Sequence, residues 1–223
     1  MAAFDTYCVA PFKQKFPIQK HFPSDHPLNY GICFGLGLEW MARHKKNKAE
    51  TPQKRIEYIG NDSTILHASI KQRLYIAELE AQLDQTDGQV SSKSPSLDLY
   101  GMKISSTAVA RVDVNDKARL KAALSAVDVG TAATHTYHAL TLVFDVQGLA
   151  HAVCCYKSGG KAFGFGSHLY FFEPNFGEYK AAAGSVTDMF NGLVDEYRAY
   201  RRANGTLMNL KIEKIVVQRI TFG

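Results

Sequence analysis

The sequence is poor in the residues that build disulfide frameworks and metal centres. The four cysteines of the 223-residue chain lie at positions 8, 33, 154 and 155, and no two of them form a CxxC pair. Disulfide-rich domains and zinc sites need denser, regularly spaced cysteines or Cys/His sets. His135, His138 and His151 lack the accompanying cysteine or carboxylate set that a zinc tetrahedron needs. We therefore expect no disulfide framework, no metal site and no cofactor.

Long apolar stretches are missing as well. No run of eighteen apolar residues occurs, so a transmembrane segment is not expected. Residues 1–16 (MAAFDTYCVAPFKQKF) contain no continuous apolar core of a signal peptide, and residue 2 is alanine rather than a glycine that could be myristoylated. These features predict a soluble protein made in a reducing cytosol, whose export would use no cleaved signal peptide.

The charge pattern gives no sign of a nucleic-acid partner. The net charge is +5, but lysine and arginine do not form one long block. The densest basic cluster, RHKK at 43–46, is typical of a solvated helix end, where cations favour the C-terminal pole. We therefore expect no nucleic-acid binding.

The chain has the length of one domain with a substantial core, since 46% of its residues are hydrophobic. We interpret residues 1–223 as a single domain, without an internal repeat or a dividing linker. Residues 1–30 mix proline, lysine and aromatics without periodicity, which predicts an irregular lead-in. Residues 84–98 are polar and predict a surface loop.

Hydrophobic periodicity predicts helices first and a sheet second, which is an α+β plan. The predicted helices cover a buried apolar run at 32–41, a long amphipathic stretch at 64–83, a short segment at 115–127 and residues 186–202. The predicted antiparallel strands cover 137–146, 150–156, 169–172 and a last strand within 210–222.

Cys33 is the first candidate for chemistry. It follows Gly31 at the start of the predicted apolar helix. A helix N-terminus and a nearby imidazole both stabilise a thiolate, which is the nucleophilic form of cysteine. The alternative is that Cys33 only packs, because free cysteine is among the most frequently buried residue types.

The predicted sheet contains the candidate catalytic partners of Cys33. His151 lies at the start of one strand, and the segment Glu173-Pro174-Asn175 ends the next. Neighbouring strands can bring an imidazole within reach of a carboxylate or amide, and a base held in one tautomer by such a group is the logic of Cys-His-Asp/Asn sites. The alternatives are an ordinary strand histidine and a solvated strand end.

Three segments resemble the YopT-type bacterial cysteine proteases: NYGICFGLGLEW (29–40), HAV (151–153) and YFFEPNFGEY (170–179). The resemblance implies a papain-like fold, in which a helical half carries the nucleophile and packs on an antiparallel sheet carrying histidine and acid. It also implies that Cys33 is the nucleophile, His151 the base and Glu173 the carboxylate. The family has aspartate where this chain has Glu173, and residues 157–167 extend the segment between histidine and acid.

Two amides are further candidates. Asn175 could orient His151 in place of Glu173, as an amide does in papain-like enzymes. Asn29 is the side-chain amide nearest before Cys33 and could assist an oxyanion, or it could be a turn residue. The glycine-rich stretch 157–167 is interpreted as a long hairpin, with a mobile flap over the cleft as the alternative.

The predicted reaction is acyl transfer through a Cys33 thioester, with His151 protonating the leaving amine. The resemblance implies a virulence effector or toxin protease that a bacterium delivers into a target cell, with a protein substrate and an immunity or inhibitor protein as partners. The same geometry also supports glutamine deamidation, transglutamination or peptidoglycan hydrolysis. A module that has kept the fold without activity is the second alternative.

Overall fold

The computed structural model describes residues 4–81, 94–111, 135–159, 166–201 and 206–223, with backbone alone at 29–30, 79–81 and 110–111. The helices in these ranges are α1 (Lys15–His21), α2 (Cys33–Lys46), α3 (Pro52–Ile59), α4 (Asp62–Ala81), α5 (Pro95–Asp98) and α6 (Val186–Arg198). Short 3₁₀ turns cover Asp5–Tyr7, Pro27–Tyr30 and Ala183–Ser185. None of the helices in the described ranges has the length and apolar content needed to cross a bilayer.

The strands form one antiparallel sheet. They are β1 (Cys8–Pro11), β2 (Met102–Arg111), β3 (Thr136–Phe144), β4 (Ala150–Lys157), β5 (His168–Glu173), β6 (Gly177–Ala182) and β7 (Ile212–Phe222). Within the described residues their order across the sheet is β1-β6-β5-β4-β3-β7-β2. The predicted α+β plan is therefore confirmed, with β4 and β5 as neighbours near the middle of the sheet.

Each face of the sheet carries its own hydrophobic core. Helix α6 covers one face, where Val153 and Cys155 point, and helices α2, α3 and α4 cover the other, where Cys154 points. Successive side chains of a strand point to opposite faces, so both cysteines of β4 are buried in different cores. Both cysteines therefore contribute to packing.

Helix α2 lies between α4 and the sheet at very short distances. A Cβ built on Gly35 would lie 2.0 Å from the carbonyl oxygen of Ala68 in α4, and one built on Gly37 would lie 2.4 Å from Cys154 Sγ in β4. Glycine is needed at both positions because any side chain would push the neighbouring backbone or sulfur away. The N-terminus of α2 is thereby fixed relative to β4.

A buried ion pair ties two helices to the sheet. Arg55 of α3 donates to both carboxylate oxygens of Glu178 in β6, at 2.8 Å from Nε and 2.7 Å from Nη2. Trp40 Nε1 of α2 donates to the same carboxylate at 2.8 Å. Because every partner is hydrogen-bonded, the buried charges are compensated and the position of α2 along the sheet is specified.

Two predicted segments need correction. Residues 4–30, the described part of the predicted irregular lead-in 1–30, contain regular elements: β1 pairs with β6, and α1 follows it. Elements of four and seven residues are too short to leave a hydrophobic period in the sequence. The predicted surface loop is wrong at its end, because residues 95–98 form α5 and Ser94 and Ser96 are buried against the Glu78 carboxylate.

Other sequence predictions have mixed outcomes. The helices predicted at 32–41, 64–83 and 186–202 and the four predicted strands are all present, with shifted ends. Helix α3 and strands β2 and β6 were not predicted. The helix predicted at 115–127 and residues 84–93 lie outside the described residues.

We expect Gly35→Ala to lower the free energy of unfolding by about 1 to 3 kcal/mol, because the new methyl group overpacks the contact between α2 and α4. Urea denaturation measures this change. Gly184→Ala is the matched control, since a Cβ there meets no atom of the described residues within 4 Å. Equal unfolding midpoints for the two variants would contradict the close-packing argument.

Candidate active site

Cys33 is the first residue of α2, and its sulfur faces the beginning of β4. The Sγ atom accepts a hydrogen bond from the N–H of Ala152 at 3.4 Å. The neighbouring imidazole of His151 also interacts with the Cys33 side chain and lowers the pKa of its thiol. The start of α2 and the start of β4 are therefore in contact through the Cys33 sulfur.

His151 lies between Cys33 and Glu173. Its Nε2 contacts Glu173 Oε1 at the end of β5, which leaves Nδ1 as the ring nitrogen available to Cys33. The imidazole is almost fully buried, with 10% of its side chain exposed. The structure therefore brings together the three residues that the sequence singled out: a thiol, an imidazole and a carboxylate in one chain of contacts.

The charges of these groups alter their pKa values in opposite directions. Burial opposes ionisation of Cys33, but the positive charge and hydrogen bond of His151 outweigh it, and the pKa of the thiol is lowered. Burial also opposes the charged form of His151, but Glu173 and the Cys33 thiolate outweigh it and raise the pKa of the imidazole to about 10. The arrangement favours a thiolate–imidazolium pair over the neutral pair.

Glu173 is fully buried, and its carboxylate is held from two sides. Both carboxylate oxygens accept from the backbone N–H of Asn175, at 3.1 and 3.0 Å, while one of them contacts His151. The side chain of Asn175 points elsewhere, because its Oδ1 accepts from Gln14 Nε2 at 2.8 Å. In this structure the carboxylate of Glu173, rather than the amide of Asn175, contacts the imidazole.

Two glutamine side chains cap the start of α2. Gln72 Oε1, from α4, accepts from the N–H groups of Phe34 and Gly35 at 3.0 and 3.3 Å. Gln14 Oε1 accepts from the N–H of Ile32 at 3.1 Å. Neither glutamine accepts a hydrogen bond from the N–H of Cys33, which lies in the sequence between the capped residues Ile32 and Phe34. Both caps are neutral, so the helix start is satisfied without a negative charge beside the sulfur.

Tyr197 of α6 packs against the far side of the imidazole. Its ring lies edge-on to His151, with centroids 6.0 Å apart, and also contacts Phe176. Burial raises the pKa of its phenol, which therefore stays neutral. Tyr197 thus gives the imidazole an apolar neighbour on α6.

Sequence reasoning missed Gln14, Gln72 and Tyr197. A signal existed for Gln72, which interrupts the apolar face of α4 between the buried residues Ala68 and Tyr75. No comparable signal existed for Gln14, in a segment without periodicity. The side chain of Asn29, predicted to assist an oxyanion, lies outside the described part of the chain.

The glycine-rich stretch 157–167 is a hairpin connection at its described ends. Lys157 of β4 pairs with Leu169 of β5, and the N–H of Ser158 donates to the carbonyl of His168 at 2.9 Å. These residues lie at the opposite end of β4 from His151, about 20 Å along the strand. The hairpin interpretation fits this position.

Comparison with known proteins agrees with the geometry. The YopT-type peptidase family, described as "Yersinia/Haemophilus virulence surface antigen", matches residues 1–213. The chain belongs to this family. Its members are cysteine proteases, so the present YopT-type protein is a cysteine protease. A search of curated protein sequences gives no significant match.

Solved structures similar to this YopT-type protease include the Pseudomonas avirulence protein AvrPphB. The TM-score is 0.70 at 19% identity, covering 98% of this chain and 99% of that one. A ubiquitin-specific protease encoded by murine cytomegalovirus matches with a TM-score of 0.48 at 10% identity, over 96% of this chain and 84% of that one. The AvrPphB likeness and the family together confirm the predicted papain-like fold.

We expect Glu173→Gln to slow alkylation of Cys33 at neutral pH by about tenfold or more, because a rise of one unit in the pKa of the thiol lowers its thiolate fraction about tenfold. Loss of the carboxylate lowers the pKa of His151, so less of the imidazolium that stabilises the thiolate remains. The rate of iodoacetamide labelling against pH measures both effects. In the wild type the ion pair persists as pH rises until His151 loses its proton near pH 10, and in the variant this alkaline limit moves to lower pH.

The exposed carboxylate of Glu57 on α3 provides the matched control, Glu57→Gln. A Glu173→Gln profile that coincides with this control would contradict the role of Glu173 in the ion pair.

We expect Gln72→Glu to slow alkylation of Cys33 at pH 7 by about tenfold without lowering stability, because it places a negative charge near the thiolate. The new carboxylate can still accept from Phe34 and Gly35, and a negative charge at a helix N-terminus is stabilising. Labelling rates and thermal unfolding, measured on the same variant, check whether reactivity falls while stability is kept. Gln53→Glu on the exposed side of α3 is the control, and an unchanged Cys33 rate in Gln72→Glu would rule out the effect of cap charge.

Proposed function

We propose that this cysteine protease is a bacterial effector that cleaves a protein of a target cell, with Cys33 as nucleophile, His151 as acid and base, and Glu173 as the orienting carboxylate. One observation carries the proposal: the imidazole of His151 contacts both the Cys33 thiol and the buried Glu173 carboxylate. An imidazole held in this way can take the thiol proton and give it to a leaving group.

The reaction begins when the Cys33 thiolate attacks the carbonyl carbon of the scissile peptide bond. The carbonyl oxygen becomes an oxyanion, and the N–H of Cys33, which neither capping glutamine takes, is placed to donate to it. His151 Nδ1 then gives its proton to the leaving amine as the C–N bond breaks. A thioester between Cys33 and the acyl group remains.

Hydrolysis of the thioester regenerates the site. Neutral His151 takes a proton from water, and the resulting hydroxide attacks the thioester carbonyl. The C–S bond breaks, the carboxylic acid product leaves, and the thiolate–imidazolium pair is restored. Glu173 remains ionised throughout and stabilises the imidazolium.

The effector role draws on the descriptions of the similar proteins. The matched family is described as a virulence antigen, and AvrPphB is described as an avirulence protein. Both descriptions favour a protease that acts on a host protein over one that processes proteins of its own cell.

We expect the purified chain to create new protein N-termini in lysates of animal or plant cells, and Cys33→Ala and His151→Ala to abolish them. Mass spectrometry of labelled N-terminal peptides measures the cleavage. Cys8→Ala is the matched control and should keep full activity, because burial raises the pKa of the Cys8 thiol and its strand lies at the sheet edge.

Two results would contradict the proposal. Deamidated or cross-linked glutamines without new N-termini, or release of peptidoglycan fragments, would assign the same thiolate to a different acyl transfer. A large drop in thermal stability for both Cys33→Ala and His151→Ala would assign these side chains to packing.

A further inference from the structure

The side chain of Gln14 spans the two halves of the candidate active site. Its Oε1 accepts from the N–H of Ile32 at 3.1 Å, and its Nε2 donates to Asn175 Oδ1 at 2.8 Å. Ile32 precedes the nucleophile by one residue, and Asn175 follows the orienting acid by two. Gln14 is buried, with 5% of its surface exposed, so water competes poorly for these hydrogen bonds.

The backbone around Gln14 is attached to the turn that carries the acid. The N–H of Gln14 donates to the carbonyl of Pro174 at 2.8 Å, and the N–H of Phe12 donates to the carbonyl of Phe176 at 3.1 Å. Strand β1, immediately before, pairs with β6 immediately after that turn. The main chain of Gln14 therefore moves with the acid turn, while its amide reaches across to the helix.

The backbone at Gly31, just before α2, lies against the side chain of Gln14. Gly31 has φ +141°, and a Cβ at that position would touch the Gln14 amide at 3.6 to 3.9 Å. That distance is an ordinary van der Waals contact, so it is the φ, which glycine accepts without strain, that favours glycine here. The turn before α2 and the side chain of Gln14 thus fit together.

We propose that Gln14 is a positioning residue that sets the separation between the Cys33 thiolate and the His151 imidazolium, by fastening the start of α2 to the Glu173 turn. The role rests on the catalytic assignment proposed above. The attraction within the ion pair falls with distance, so a small displacement of the helix start weakens it. Gln14 touches no reacting atom and acts only through the two backbones it joins.

The test is a double-mutant cycle on the bridge: Gln14→Met, Asn175→Ala and the two combined. Methionine keeps the length of the side chain but neither hydrogen bond. Alanine at 175 removes the acceptor and keeps the backbone N–H that binds Glu173. The rate of Cys33 alkylation by iodoacetamide is measured from acid to alkaline pH for each variant, with thermal unfolding in parallel and the exposed-site variant Gln53→Met as control.

We expect each single variant to slow Cys33 labelling at pH 7 about tenfold and to move its pH profile upward, and the double variant to be no slower than the slower single one. A purely structural role would lower stability and leave the pH profile of the folded protein unchanged, which would overturn the proposal. Additive losses in the double variant would overturn it too. Asn175→Ala alone carries the test should Gln14→Met fail to fold.

The assay needs no substrate, so it separates this proposal from the proposed function. Wild-type Cys33 that labels no faster than Cys8 would contradict the catalytic assignment itself. Fast labelling of the wild type, with unchanged profiles in both bridge variants, would contradict the role of Gln14 alone.

Discussion

The tight packing of α2 between α4 and the sheet is the constraint on which the candidate active site depends. Gly35 and Gly37 bring the helix against a backbone carbonyl on one side and the Cys154 sulfur on the other. Packed interiors do not deform gradually, so a helix held at such distances has one position. Because Cys33 is the first residue of α2 and His151 lies near the start of β4, the core packing brings the sulfur to the imidazole, and the proposed Gln14 bridge acts on the separation that remains at the helix start.

Charge is distributed asymmetrically around the Cys33 sulfur and the His151 imidazole. The carboxylate of Glu173 lies behind the imidazole, where it stabilises the imidazolium, and the helix start beside the sulfur is capped by the neutral amides of Gln14 and Gln72. A carboxylate cap would satisfy the same N–H groups but would oppose the thiolate. Two further buried carboxylates near α2 are paired with cations: Glu39 with Lys71, and Glu178 with Arg55. The site therefore keeps negative charge where it supports the ion pair.

Much of this arrangement could be predicted from the sequence because its signals are local. Cys33 begins an apolar helix, His151 begins a β-branched and aromatic run, and Glu173 ends another, so each could be found from its own segment. Gln14 could not be found in this way, since its role arises from contacts with residues 18 and 161 positions away. Strand β1 escaped prediction for the same reason: four residues become a strand only when β6 pairs with them.

The register of the sheet explains how a glutamate serves at the acid position. Cys154 pairs with Phe172, so continuing the ladder by one residue places Val153 opposite Glu173, with His151 two residues further along on the same face. Such diagonal neighbours are separated by about 7 to 8 Å, too far for short side chains to meet directly. The additional methylene of glutamate helps to span this diagonal, and the N–H of Asn175 turns the carboxylate back toward the ring. The carboxylate of Glu173 thus reaches the imidazole from the last residue of β5.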